Sequence, residues 1–114
     1  MRTHFKKTIL IDLDGVLNIY NGKFDENTIP APRQDSKEFL NELSQDFEIK
    51  IFTTRNRLKA SQWLIENDLD KYVTDVTNVK EPCFLHIDDR CITFRGNTKE
   101  TIKQVKQFTP HWKE

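Results

Sequence analysis

The stretch Thr8-Ile9-Leu10-Ile11-Asp12-Leu13-Asp14-Gly15 decides the fold. Thr8 to Ile11 is a continuous, β-branched, apolar run without polar alternation, the pattern of a strand covered on both faces in a parallel sheet. Two carboxylates and a glycine follow at once, so the strand ends in a polar turn. In an open α/β sheet, ligands bind outside the carboxyl ends of the strands. A buried strand that terminates in acids therefore marks both an architecture and a place for chemistry.

The rest of the chain extends that pattern. Residues 16–32 contain Asn21-Gly22, a hairpin dipeptide, and close on Pro30 and Pro32, which exclude a helix; they read as a small flap after strand 1. Asp35 or Ser36 caps a helix running to about Asp46, with Phe39, Leu40, Leu43 and Phe47 on one face. Glu48 to Phe52 forms a second strand, ending at Thr53-Thr54-Arg55. A helix from about Arg57 to Asn67 follows, its apolar face supplied by Leu58, Trp63, Leu64 and Ile65. Tyr72–Val76 and Phe84–Ile87 are short strands, the latter ending in Asp88-Asp89, and Ile92–Phe94 is a last one. Asn97 or Thr98 caps a final helix, with Ile102, Val105 and Phe108 inward and Pro110 as its stop. Strands alternating with helices predict an α/β, Rossmann-like three-layer sandwich with a mostly parallel sheet and helices on both faces. It forms one domain over residues 1–114.

Length and charge narrow the function. A chain of 114 residues suits a single domain with a core of its own. Lys plus Arg equals Asp plus Glu at 18 each, so there is no overall electrostatic footprint for a long nucleic acid or an anionic membrane. The apolar run from Thr8 is cut by Asp12, too early for a membrane span or a signal-peptide core, and the expected location is cytoplasmic. Cys83 and Cys91 form no C-x-x-C pair and read as two reduced thiols, a disulfide being the alternative.

Three strands thus deliver loaded residues: Asp12 and Asp14, Thr53 and Thr54, Asp88 and Asp89, with Lys80 just upstream of the last pair. A parallel sheet brings these groups to one edge. Clustered carboxylates without His or Cys favour a hard cation, Mg²⁺, over zinc. A lysine and a threonine hydroxyl are suitable partners for phosphoryl oxygens.

At this point the chain resembles the haloacid dehalogenase-like (HAD) superfamily. Ile9 to Val16 is similar to that family's first motif, D-x-D-G-[TV] after a hydrophobic strand; Ile51-Phe52-Thr53 resembles the second; Lys80 matches the third and Ile87-Asp88-Asp89 the acidic fourth. All four occur in the family's order across residues 9 to 89. The resemblance implies a small, capless, Mg²⁺-dependent phosphatase, a hydrolase of phosphomonoesters. Asp12 would be the nucleophile that forms an aspartyl-phosphate, and Asp14 the acid and then the base. Thr53, chosen over Thr54 because it directly ends the apolar run, would hold a phosphoryl oxygen, and Lys80 would offset negative charge. The metal would take Asp12, the backbone carbonyl of Asp14, and Asp88, with Asp89 helping directly or through water. Capless members tend to accept large substrates or to cover the site with a neighbouring subunit, which makes a homo-oligomer one expectation. The class of phosphorylated substrate stays open.

Two other functions compete. A receiver-like phospho-signalling domain uses the same residue types, but it normally places its acidic pair first, and here D-x-D comes first. A catalytically silent binding module on this fold would need no turnover, yet every motif position carries a competent residue. Single residues also have plainer readings. Thr53 and Thr54 compete with Asn56 as helix caps, and Arg55 and Arg90 are expected to pair with nearby acids. His86 reads as a hydrogen-bonded core histidine and Trp63 as core. Trp112 packs either on its own domain or in an oligomer contact.

Overall fold

The computed structural model describes residues 5–113. Strand β1 (Lys7–Asp12) lies inside a four-stranded, all-parallel sheet with β2 (Phe47–Phe52), β3 (Asp75–Thr77) and β4 (Leu85–Ile87), in the order β3-β2-β1-β4. Helix α1 (Ser36–Ser44) links β1 to β2, α2 (Arg57–Glu66) links β2 to β3, and α3 (Thr98–Gln107) follows β4. The architecture is α/β with a parallel sheet, as the run from Thr8 to Ile11 predicts.

Both early crossovers advance in the same direction, so their right-handed connections place α1 and α2 on one face. Ile9 and Ile11, Ile49 and Ile51, and Val76 meet Leu40 of α1 and Ala60, Trp63 and Leu64 of α2 there, forming the core. Leu10 points the opposite way and is also fully buried, so β1 is covered on both faces. Its register partners on that second face are Lys50 and His86, which makes that side of the sheet much more polar.

The structure corrects several local expectations. The flap exists, but Asn21-Gly22 does not turn a two-stranded hairpin: a single antiparallel bridge, Asn18 to Pro32, closes its base. The Asn21 side chain instead accepts a bond from the Lys23 amide in a local turn. Ser36 does not cap α1; its hydroxyl donates to the Leu17 carbonyl at 2.7 Å and pins the helix to the flap. Phe39 lies largely outside the α1 stripe, which runs through Ser36, Leu40 and Leu43. In α2 the buried stripe is Ala60, Trp63 and Leu64, spaced i, i+3, i+4. Leu58 and Ile65 fall outside that arc and face solvent. The third strand is shifted, with a 3₁₀ turn at Asp70–Tyr72 ahead of Asp75–Thr77, and residues 92–94 form no strand. Helix α3 is capped by the Asn97 side chain as expected, but none of its residues is buried, and Ile102, Val105 and Phe108 are exposed. Cys83 and Cys91 are free thiols. No helix among the described residues is long and apolar enough to cross a membrane.

Candidate active site

Strand order turns at β1: β2 and β3 lie on one side of it and β4 on the other. Such a switch point leaves a crevice at the carboxyl ends of the central strands, because the connections depart in opposite directions. Asp12 is the last residue of β1 and pairs with Phe52, and Ile11 pairs with Ile87. Extending that register by one residue sets Asp88 beside Asp12. A cleft of about 330 Å³ opens here, lined by Asp12, Asp14, Thr53, Thr54, Asp88, Asp89 and Arg90, with Tyr20, Phe24 and Phe52 as its aromatic walls.

Asp12, Asp88 and Asp89 each offer a carboxylate oxygen, and these three oxygens lie within 4.8 Å of one another. So many acids at such range cannot all stay ionised without a cation. Burial, reinforced by a hydrogen bond with Asp89 and by the charges of Asp88, Asp89 and Asp14, pushes the Asp12 carboxyl up to about 8. Burial also opposes ionisation of Asp89, yet hydrogen bonds from the Trp112 indole and the Asp12 carboxyl outweigh it and hold Asp89 below the usual carboxylate range. Of the three carboxyls, Asp12 is thus the one whose ionisation burial and its acidic neighbours oppose most.

Asp14 is kept out of that trio by a partner of its own. Arg55 donates to its carboxylate from two points, Nε to Oδ2 at 2.8 Å and Nη2 to Oδ1 at 3.1 Å. Asn18 adds a third bond, Nδ2 to Oδ1 at 2.9 Å, and its own Oδ1 accepts the amides of Gly15 and Tyr20. Arg55 also donates to the Asp25 carbonyl at 2.7 Å and lies under the Phe24 ring, so one guanidinium ties Asp14 to the flap. Gly15 makes the turn possible: its φ is +87°, and a Cβ there would collide with the Asp89 carboxylate.

Thr53 is buried at the end of β2, and its hydroxyl oxygen accepts the Arg55 amide at 3.1 Å. The hydroxyl proton stays available to an incoming oxygen. Thr54 is exposed at the rim of the cleft. The cap of α2 is Asn56, which accepts the Lys59 amide, so neither threonine is spent on capping.

The structure thus gathers Asp12, Asp14, Thr53, Thr54, Asp88 and Asp89 at one cleft. It does not bring Lys80 there: Lys80 is exposed in the loop before β4, and its side chain is not part of the cleft lining. The neighbouring Glu81 pairs with Lys50 at 3.2 Å. Arg55 pairs with an acid as expected. Arg90 does so only through its backbone, which donates to Asp88, while its guanidinium lies over the Trp112 ring. His86 is not hydrogen-bonded through Nε2 among the described residues: that atom is buried without a partner, 3.9 Å from Asp88.

No family model, curated protein or solved structure matches this chain.

Asn18 escaped the sequence reading, although a polar residue inside the apolar segment Val16-Leu17-Asn18-Ile19 was a usable signal. Trp112, which donates to Asp89 from the far end of the chain, left no local signal at all.

Proposed function

We propose that this chain is a Mg²⁺-dependent phosphomonoesterase of the HAD-like type, working through an aspartyl-phosphate on Asp12. The observation that carries the reading is the division of labour among the acids. Three carboxylates share one small volume at the switch point, while Asp14, two residues from Asp12, is held apart from them by Arg55.

The donor set suits Mg²⁺: all oxygen, without His or Cys, and too negative to remain fully ionised by itself. Asp12, Asp88 and Asp89 would hold it, with the backbone carbonyl of Asp14. When bound, Mg²⁺ supplies the positive charge that keeps these carboxylates ionised beside a phosphate dianion.

The chain's own residues do the rest. An Asp12 oxygen attacks phosphorus, and the bond from phosphorus to the ester oxygen breaks. Asp14, having taken up a proton from solvent against the pull of Arg55, delivers it to that oxygen, so the alcohol leaves neutral. A water then attacks the phosphorus of the acyl phosphate and gives its proton to Asp14; inorganic phosphate departs and the Asp12 carboxylate is restored. Arg55 and Asn18 fix the direction of Asp14, which both proton transfers need. Thr53 donates its hydroxyl to a phosphoryl oxygen. Arg90, which lines the cleft, offsets part of the charge of nucleophile and phosphate.

The test is phosphate release from an aryl phosphate and a panel of sugar, nucleotide and peptide phosphoesters, with and without Mg²⁺, beside Asp12→Asn. Turnover that needs Mg²⁺ and is lost in the variant supports the reading. A wild type inert across the panel, or a fully active Asp12→Asn, refutes it.

A further inference from the structure

The flap, through Tyr20 and Phe24, and the acidic loop, through Asp88, Asp89 and Arg90, both line the cleft. The last described residues of the chain reach both. After α3, which leaves no residue buried, the chain turns through a short 3₁₀ segment at His111–Lys113 and returns to the acidic loop. His111 Nε2 meets the Gly15 carbonyl at 2.5 Å, a contact across 96 residues. Trp112 Nε1 donates to Asp89 Oδ2 at 2.5 Å.

The Trp112 ring also bridges two separate elements. On the flap, it meets Tyr20 edge-on at 5.2 Å, and it passes so close to Gly22 that a Cβ there would sit 2.8 Å from the ring. Gly22 has φ +97°, so both its backbone and its missing side chain serve this approach. On the acidic loop, the Arg90 guanidinium lies 5.0 Å from the ring. One side chain therefore holds the flap, the acidic loop and a carboxylate of the trio at once.

We propose that His111–Trp112 is a strap that ties the flap to the acidic loop beside this cleft, and that Trp112 is a positioning residue for Asp89. The indole proton occupies one carboxylate oxygen of Asp89 and thereby fixes which way the other faces. A tryptophan suits both tasks: its ring supplies a surface for Tyr20, Gly22 and Arg90, and its single N–H is a donor with one fixed direction. Partners that orient a metal-binding side chain commonly change metal affinity 10- to 100-fold, on the order of magnitude expected here. The strap stands without any metal. The positioning role rests on reading the acidic trio as a Mg²⁺ centre.

The two roles separate in full-length Trp112→Phe and Trp112→Ala. Phenylalanine keeps an aromatic ring and loses the N–H; alanine loses both. Hydrogen exchange without metal reads the strap through the amides of Ile19, Tyr20 and Lys23, all bonded within the flap. Calorimetric titration with MgCl₂ reads the positioning. Trp112→Ala is expected to speed flap exchange severalfold, whereas Trp112→Phe leaves it near wild type; both are expected to weaken Mg²⁺ binding by roughly tenfold. Flap exchange in Trp112→Ala equal to wild type overturns the strap. Mg²⁺ affinity in Trp112→Phe equal to or above wild type overturns the positioning role. A wild type that takes up no Mg²⁺ removes the metal reading and the positioning role together, and the exchange result still decides the strap.

Discussion

Arg55 and Asp14 form a two-point ion pair across 41 residues, with the Arg55 side chain 2% exposed and that of Asp14 19% exposed. This pair sets the orientation of the one acid that does not join the trio. The planar fork of arginine matches a carboxylate at two points, and a lysine ammonium cannot.

Arg55→Lys is therefore expected to fold, because charge is kept, but to turn over a phosphoester roughly 10- to 100-fold more slowly, with a smaller change in KM. Steady-state kinetics beside a circular dichroism spectrum check this. An unchanged kcat would show that Asp14 needs no orientation from Arg55.

The proton on Asp12 gives a pH prediction. Asp12 keeps its proton in the folded chain up to about pH 8 and, when unfolded, loses it near its ordinary value of 3.8. Between those limits the folded state binds more protons than the unfolded state, so this contribution to stability is full in acid and falls as pH rises toward 8. Asp89, held low, acts oppositely only in the acid range. In metal-free buffer, Asp12→Asn is expected to melt higher than wild type at pH 8, by roughly 5 °C, with the difference shrinking toward pH 5. Differential scanning calorimetry at the two pH values decides it.

The burial pattern separates two helices that look alike in sequence. Leu40 of α1 is fully buried in the core, whereas Ile102 of α3 is 55% exposed. Leu40→Ala is expected to cost about 3 kcal/mol and Ile102→Ala less than about 0.5 kcal/mol. Urea unfolding of the two variants measures both.

These same helices show what local pattern reveals and what it omits. The parallel sheet was legible in Thr8–Ile11, because an apolar run that ends in acids fits few other structures. The trio followed from it, since parallel strands align their ends. Periodicity in α3 says only that Ile102 and Val105 share a face; burying that face requires an opposing surface, which a local pattern does not contain. Lys80 was placed by its position between motifs, and spacing along a loop does not dictate where its side chain goes. Arg55–Asp14, and above all Trp112 with Asp89, join residues far apart in the chain, and their geometry arises only after the sheet has formed.

Thr53 offers a narrower test of the phosphate site. Thr53→Val keeps the shape and removes the hydroxyl. It is expected to weaken competitive inhibition by inorganic phosphate by about tenfold, the worth of one hydrogen bond to a charged group. Equal inhibition would move that role to Thr54.

The most direct measurement is acid-quenched peptide mass spectrometry of Asp14→Asn during turnover of an aryl phosphate with Mg²⁺. An aryl leaving group needs little protonation, so the first step still runs, whereas the water that completes the cycle has lost its base. One phosphoryl group accumulating on the peptide that contains Asp12, and absent from Asp12→Asn, is the predicted result. Turnover with no phosphorylated peptide, or a phosphoryl group on any residue other than Asp12, would contradict Asp12 as the nucleophile.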